Sequence, residues 1–432
     1  MSGDGSRGFH GVYATLPSAF SMQTIAVLGL GYVGFPLVEL LVKSKKYKVI
    51  GVDISSIAVK RAHRLLKSRN FLATADFSKL RMADIAVVCV PTPVFRNFQP
   101  DYGPLKNACL SIIKNLKPGQ LIIIESTINP GTCEEIVLPI LERFGAESGK
   151  DFFLAHCPER IDPGNKKWTL VNIPRNVGGL NAQSAELAAK FYRSFLKGEV
   201  KILNSIKAAE ATKIVENTFR DINIAYVNEL AMSFDRLGID LVEVIEGAKT
   251  KPFAFMPHYP GAGVGGHCIP VDPYYLIERA LHSGFEHYFL EMARKVNNGM
   301  PAYTVSLLEC ELKKNKLPLR KTTIGLLGLA YKRDIGDMRE SPAVKILQIL
   351  KQKRMPVLTY DPFLPKISTA KSLADLLKRC SAIILATNHS SFGKISAEML
   401  KRAGVKIVID GRNCLPKEKI LAAGIAYKGI GH

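Results

Sequence analysis

No Cys-x-x-Cys pair occurs among the eight cysteines of this 432-residue chain, and no apolar run approaches the roughly 18 residues that a membrane-spanning helix needs. The first absence removes the usual spacings of dithiol redox centres and zinc sites, so reduced thiols in a cytoplasm and no bound metal are expected. The second removes a membrane-embedded protein. Residues 1–21 contain no continuous apolar stretch of the kind a secretory signal requires. They are expected to form a disordered tail, and Met22, directly before the first strand, leaves open whether that tail belongs to the native protein. Without a secretory route, the Asn388-His389-Ser390 sequon carries no meaning. Acidic residues are also scarce: 38 face 59 lysines and arginines, for a net charge of +21. From residue 306 onward the chain holds 24 basic and ten acidic residues, so 14 of the 21 excess charges lie in the last third. A field of that sign attracts a pyrophosphate-bearing ligand. The basic residues are neither interleaved with aromatics nor gathered into a cluster, so nucleic acid is not an expected partner.

What is present begins with a strand, a glycine turn and a helix. Gln23 to Leu28 is β-branched and apolar, and it ends at Gly29-x-Gly31-x-x-Gly34, with Tyr32 and Val33 before the last glycine and PLVELLVKS after it. Three glycines at this spacing allow a tight turn, close approach of a pyrophosphate and packing of helix on strand, with the phosphates at the positive helix terminus. A second strand, YKVIGVDI, ends in Asp53. A carboxylate there takes the hydroxyls of an adenosine ribose and repels a 2′-phosphate, so NAD rather than NADP is the expected cofactor. A glycine turn without a ligand is the alternative, and strand, spacing and acid together weigh against it. Further strands close at Pro91-Thr92 and at Ser126-Thr127, and all four residues fall at the carboxyl strand ends where a parallel, doubly wound sheet binds its ligand. Phe152 to Ala155 reads as one more strand, followed by His156-Cys157-Pro158-Glu159-Arg160. Glu159 is a candidate base there, a salt-bridged loop glutamate being the alternative.

Lys207 to Leu237 has no glycine or proline before its end and keeps an apolar stripe, which predicts one long helix. Glu210, Lys213 and Asn217 share a face of it, where polar groups in a packed helix need partners or a ligand. A solvated stripe is the other reading. The stretch GAGVGGHCIPVDPYY then places Cys268 behind four glycines and Asp272 four residues on. Such a frame presents a thiol, whereas an ordinary free cysteine is a small buried hydrophobe. The chain next repeats its opening theme: TTIGLLGLAYK, a helix, a strand ending at Asp361, and later Asp410-Gly411-Arg412-Asn413 at another strand end. Gly325, Gly328 and Ala330 depart from the dinucleotide spacing, so this half is expected to bind something other than NAD. The expected architecture is α/β, with two Rossmann-like parallel-sheet domains joined by a long central helix and a helical middle segment. Its parts are the tail (1–21), an NAD-binding domain (22–205), a central helical segment carrying the cysteine loop (206–305) and a second α/β domain (306–432).

From Met22 onward the motifs GLGYVG, CVPTP, ESTINPGT, CPER, GVGGHCIPVDP, GLAYKRDIGDMRESPA and DGRN, with the Glu210/Lys213/Asn217 helix, stand in the order found in the nucleotide-sugar 6-dehydrogenases. The chain resembles that family, which contains the UDP-glucose and UDP-N-acetylhexosamine dehydrogenases. The resemblance implies a UDP-sugar substrate, a UDP-binding C-terminal domain, a homodimer built on the central helix and a part in polysaccharide biosynthesis. It also implies roles: Cys268 as nucleophile, Lys213 and Asn217 at the developing alkoxide, Asp272 for a proton or water, Glu159 as the base for thioester hydrolysis, and Thr127 holding the water. Arg160, Gly265, Gly266, Lys332, Arg339 and Arg412 become substrate contacts beside Glu159, Lys213 and Asn217. Val271 stands where UDP-glucose enzymes carry a lysine. With His267 and the run Arg160-Ile161-Asp162-Pro163-Gly164, this points to the N-acetylhexosamine branch, with UDP-N-acetylmannosamine or UDP-N-acetylglucosamine as substrate. UDP-glucose, and a non-catalytic sugar-nucleotide binding protein, are the alternatives. A two-domain hydroxyacid dehydrogenase shares the NAD domain but needs neither Cys268 nor a second α/β domain.

Overall fold

The computed structural model describes residues 22–95, 99–161, 165, 167–266 and 268–432. The expected tail at 1–21, Asp162-Pro163-Gly164 and His267 lie outside the described residues. Chain contacts divide the protein into two compact units. One holds residues up to 91 with 105–126 and 136–205; the other holds 92–104, 127–135 and 206–432. Among the described residues no helix is long and apolar enough to cross a membrane.

The first unit is built on an eight-stranded sheet: β1 (Thr24–Leu28), β2 (Lys48–Val52), β3 (Phe71–Thr74), β4 (Ile85–Val88), β5 (Gln120–Ile124), β6 (Phe152–His156), β7 (Arg175–Gly179) and β8 (Val200–Ile202). The order is β3-β2-β1-β4-β5-β6-β7-β8. Its first six strands run parallel in the doubly wound arrangement, which is the expected fold class. Strands covered on both faces read as unbroken apolar runs, and β4 (IAVV) and β5 (QLIII) are buried at every residue. Around the sheet lie α1 (Gly34–Ser44), α2 (Ser56–Leu65), α3 (Gly103–Ile113), α4 (Leu138–Glu142) and α5 (Ala182–Arg193). β7 returns antiparallel to β6, a departure from an all-parallel sheet. The physical reason is the connection: a parallel neighbour needs a crossover, usually helical, and the described residues of 157–174 form no helix.

The second unit opens with α6 (Ile206–Leu237), one helix as the unbroken stripe predicts, followed by α7 (Leu241–Ala248), α8 (Asp272–His282) and α9 (Tyr288–Lys314). α9 runs through Pro301, which has no N–H to give the carbonyl of Asn297 one turn back. That carbonyl lies 3.4 Å from where a Cβ of Gly263 would stand, so the break in the helix ladder faces the glycine loop. The unit ends in a five-stranded, all-parallel sheet ordered β10-β9-β11-β12-β13, formed by β9 (Ile324–Leu327), β10 (Val357–Tyr360), β11 (Ala382–Leu385), β12 (Ile407–Asp410) and β13 (Ala426–Gly429). Helices α10 (Pro342–Gln352), α11 (Leu373–Arg379), α12 (Ala397–Ala403) and α13 (Lys417–Ala422) cover it. One core joins α6, α7 and α9 to this sheet through Val227, Leu241, Met300, Leu308, Leu326 and Ile409.

Candidate active site

The first unit carries a cradle for a dinucleotide. Gly29 follows β1 at φ +96°, and a Cβ there would lie 2.6 Å from the carbonyl oxygen of Cys89, beyond the end of the neighbouring β4. A Cβ on Gly34 would collide with the carbonyl of Gly29, which lets α1 pack on the turn. Gly31 differs: no atom lies within 4 Å of its would-be Cβ, so its face of the turn is open to a ligand. The N-cap of α1, Val33, offers no side-chain acceptor, and the first turn holds no acid. The positive end of the helix is therefore left for an anion. Asp53, half-buried after β2, accepts the N–H groups of Leu30 (2.7 Å) and Ser55 (2.7 Å), which fixes the carboxylate beside the glycine turn. These residues fit NAD. Tyr32 is largely exposed at the same turn, and Ser126 ties the ends of β4 and β5 together by donating to the carbonyl of Val90 (2.7 Å). Pro91 follows. Thr92 and Thr127, predicted beside them, group with the second unit, where Thr92 Oγ1 donates to the Thr127 carbonyl (2.7 Å).

Also in the first unit, β6 leads into the turn that holds Glu159 and Arg160, both half-buried. Arg160 donates to the carbonyl of Pro174 (2.9 Å), so its guanidinium supports the chain on this side of the turn. His156, fully buried at the end of β6, is kept neutral because burial pushes its pKa down to about 3.

The second unit brings Lys213, Asn217 and Asp272 together. Asp272, the first residue of α8, is 2% exposed and accepts from Asn217 Nδ2 at 2.5 Å. Burial pushes its carboxyl up to about 7, while the Asn217 hydrogen bond and the charge of Lys213 pull the other way. Lys213 is buried, and among the described residues nothing hydrogen-bonds or ion-pairs with its ammonium. The third residue of the predicted face has a different task. Glu210, fully buried, accepts the N–H groups of Gly131 (2.5 Å) and Cys133 (2.7 Å), and burial pushes it up to about 6. It holds the turn after Thr127.

Cys268 lies half-buried one turn before α8, and its carbonyl accepts from Val271 (2.9 Å) and Asp272 (2.8 Å), which sets the thiol at the helix start with Asp272. The glycines before it are demanded by packing. A Cβ at Gly265 would lie 2.7 Å from the Tyr331 Cβ, one at Gly266 would lie 2.8 Å from the Tyr331 ring, and one at Gly261 would strike Arg412 at 2.8 Å. Gly265 and Gly266, predicted as substrate contacts, thus owe their missing side chains to Tyr331. The loop is also wired to the long helices. Gly261 N–H donates to Asn228 (2.9 Å), Asn228 to Asn297 (2.8 Å), and Asn297 to Asp221 (2.8 Å), which pairs with Arg294 (2.6 Å).

At the second sheet, Lys332 follows β9 and Arg412 follows β12, both at carboxyl strand ends, where ligands of parallel sheets bind. Arg412 donates to the carbonyl of Ala386 (3.1 Å). Arg339 is half-exposed and forks onto Asp337 (2.6 and 3.0 Å), so an incoming phosphate must share it. Asp361 reproduces the position of Asp53 by accepting from Leu329 N (2.7 Å), yet it is wholly buried and also takes His389 (3.0 Å). Wholly buried, it presents no oxygen at the surface for a ribose, whereas Asp53 is half-buried. Tyr275 and Tyr331 were not singled out by sequence. Tyr275, buried, donates to the carbonyl of Thr92 and so ties α8 to the Thr92-Thr127 pair. The only sequence signal for them was aromatic residues inside the PYY and LAYK motifs.

Three segments match the domains that define the UDP-glucose/GDP-mannose dehydrogenase family: its NAD binding domain (residues 23–196), central domain (207–299) and UDP binding domain (325–417). A UDP-N-acetyl-D-mannosamine dehydrogenase of Pyrococcus horikoshii is 38% identical over 424 residues, covering 94% of this chain and 99% of its own. A UDP-N-acetyl-D-glucosamine 6-dehydrogenase of Pseudomonas aeruginosa is 38% identical over 405 residues, covering 88% and 94%. The solved structure of the UDP-D-ManNAc dehydrogenase from Pyrococcus horikoshii superposes with a TM-score of 0.88 at 37% identity, over 95% of this chain and 99% of that one.

Proposed function

Because the chain belongs to the UDP-glucose/GDP-mannose dehydrogenase family, we propose that it is a UDP-N-acetylhexosamine 6-dehydrogenase, oxidising the C6 primary alcohol to a carboxylate in two steps. The observation that carries the reading is the cluster of Lys213, Asn217 and Asp272 beside the Cys268 loop. Bound NAD supplies the hydride acceptor for each oxidation. Lys213, a buried cation with no hydrogen-bond or ion-pair partner among the described residues, stabilises the alkoxide that forms as the C6 hydroxyl loses its proton. Asp272, titrating near neutrality and tied to Asn217, takes and returns protons. An aldehyde has no alkoxide to push out a second hydride. Attack of the Cys268 thiolate on its carbonyl carbon forms a C–S bond and a thiohemiacetal, which restores one. Loss of hydride then leaves a thioester. Glu159 takes a proton from the hydrolytic water, Thr127 holds that water, and the thiol departs as the acid forms. Arg339, Lys332 and Arg412 contact the UDP moiety, with Arg160 as a further substrate contact.

Two features support an N-acetylhexosamine over glucose: Val271 in place of a lysine, and the substrates named for the Pyrococcus and Pseudomonas relatives. The test is NADH formation with NAD and a panel of UDP-glucose, UDP-galactose, UDP-N-acetylglucosamine and UDP-N-acetylmannosamine. An N-acetylhexosamine should give two NADH per uronate with no free aldehyde. Cys268→Ala should lower acid formation by about 10³-fold or more, roughly 4 kcal/mol of barrier, while UDP binding survives. Turnover of UDP-glucose at equal kcat/KM would overturn the choice of sugar. Uronate made by the alanine variant within tenfold of wild type would remove Cys268 from the mechanism.

A further inference from the structure

Within the first unit, a group of buried ionisable side chains has been given no task in the chemistry above. Arg175, the first residue of β7, is fully buried, as is Glu125 just after β5. Arg175 Nη2 lies 3.7 Å from Glu125 Oε1, and Tyr192 of α5 donates to that same oxygen at 2.5 Å. The guanidinium also stacks over the Tyr192 ring, 5.6 Å from its centroid. Burying such a set costs several kcal/mol per ion, and apolar replacements of buried ion pairs are often neutral or stabilising. Stability is therefore a poor reason for this arginine to be here.

Its remaining contact suggests a better one. Arg175 Nη1 donates to the carbonyl of Pro158 at 3.1 Å, so the buried cation grips the backbone directly before Glu159. β6 and β7 pair Ala155 with Gly179 and His156 with Gly178, so the strand that begins at Arg175 runs back beside the strand that leads into Glu159. Arg160 grips from the other side through Pro174. Glu159 and Arg175 are also close enough for their charges to interact. Among the described residues, Nε and Nη2 of Arg175 have no hydrogen-bond acceptor, which leaves the guanidinium less neutralised than a fully forked arginine.

We propose that Arg175 is a positioning residue for Glu159: it fixes the 158–160 turn and holds a permanent positive charge near the carboxylate, keeping that base ionised. The inference rests on Glu159 being the base for thioester hydrolysis. Around the turn stand Arg175 on β7, Glu125 after β5, Cys89 after β4, Tyr192 on α5 and, on the turn itself, His156, Cys157 and Arg160. Burial keeps His156 neutral and pushes the thiols of Cys89 and Cys157 and the Tyr192 phenol up, so these four carry no charge near neutral pH. Glu125 faces Arg175 and Tyr192. Of the groups just named, Arg160 and Arg175 are the positive ones.

The experiment uses the full chain with NAD and whichever of UDP-N-acetylmannosamine or UDP-N-acetylglucosamine it turns over, comparing the first-turnover NADH burst with the later steady rate across pH. Arg175→Met should keep the burst, because both oxidations precede hydrolysis. It should slow the later rate about tenfold or more and move its acid limb upward by about a unit, since an opposite charge lowers a carboxyl pKa by roughly 1–3 units. Arg175→Lys should bring the limb back. If Arg175→Met does not fold, the pair Arg175→Met with Glu125→Gln removes both charges and carries the same expectation. A limb unmoved in the folded methionine variant, or left high in the lysine variant, overturns the proposal. Glu159→Gln separates the two layers. Unchanged hydrolysis in that variant sinks the reading of Glu159, whereas lost hydrolysis together with an unmoved limb in Arg175→Met sinks the role of Arg175 alone.

Discussion

Asp272 is buried at the head of α8 with one amide for a partner and the lysine charge nearby, and burial dominates, pushing its carboxyl up to about 7 from an ordinary value of 3.8. Between those two values the folded protein holds a proton that the unfolded chain has released. Stability therefore falls as pH rises from about 4 to about 7, by an amount on the order of a few kcal/mol from this group. Glu210, pushed up to about 6, contributes a slope of the same sign over a narrower range. The difference between wild type and Asp272→Asn isolates Asp272, since asparagine can still accept from Asn217 but does not titrate. Urea midpoints measured without ligands should fall less steeply with pH in the variant, which should be the more stable protein at pH 8 and the poorer catalyst. Parallel curves for the two would show that Asp272 has an ordinary carboxyl pKa and is ionised throughout. In the proposed mechanism this is the pattern of an active-site acid, kept at a cost in stability because the chemistry would need a group that titrates near neutrality.

The turn between β1 and α1 separates folding from binding within six residues. At Gly34 a methyl group would overlap the carbonyl of Gly29, whereas at Gly31 it would meet nothing within 4 Å. Gly34→Ala should lower the melting temperature by several degrees or prevent folding. Gly31→Ala should leave it within about a degree and weaken NAD binding at least tenfold, read by cofactor fluorescence, because the methyl occupies the room a pyrophosphate needs. Equal NAD affinity in Gly31→Ala would mean that the cofactor does not approach this turn. Elements with strong periodicity or an unbroken apolar run were legible in the sequence: β1, β4, β5, the 32-residue α6 and strands β9 to β12 of the second sheet, but not its last strand, β13. β7 was not, since RNVGG is five residues with two glycines and an arginine, and its hydrophobic pattern is too short to show a period. Its glycines become intelligible only in three dimensions, where a Cβ on Gly179 would sit 2.3 Å from the backbone of Ala185. Of the candidate site, the residues in dense motifs were readable: the glycine turn, Asp53, Cys268 and Asp272. Glu210 showed its true partners, the amides of Gly131 and Cys133, only once the fold set residues nearly eighty positions apart side by side. Arg175 and Asn228 are single polar residues far in sequence from what they hold, and no local pattern marks them.

On the scale of the molecule, the two faces of α6 make opposite demands. Glu210, Lys213 and Asn217 point inward at helical spacing. On the other side Val215, Phe219 and Tyr226 form an apolar stripe, each about half exposed. Beside it in the same unit, the first turns of α9 expose Tyr288, Phe289 and Met292. Large apolar groups repeated along one helix face are costly in water, at about 25 cal/mol for each Å² that burial would remove. A second copy of the chain offers the same stripe, and a two-fold axis across it would bury both at once, the commonest geometry for a soluble homo-oligomer. The expected assembly is therefore an isologous dimer through α6. Because Lys213 and Asn217 sit on the reverse face of that helix, losing the partner should loosen the site as well as the interface. Phe219→Asp with Tyr226→Asp should shift the sedimentation mass from twice the chain mass of 47.5 kDa to the monomer value and lower activity, with NAD affinity preserved in the first unit. A wild-type protein that sediments as a monomer at micromolar concentration would leave the stripe without a partner of its own kind and would remove the dimer from this account.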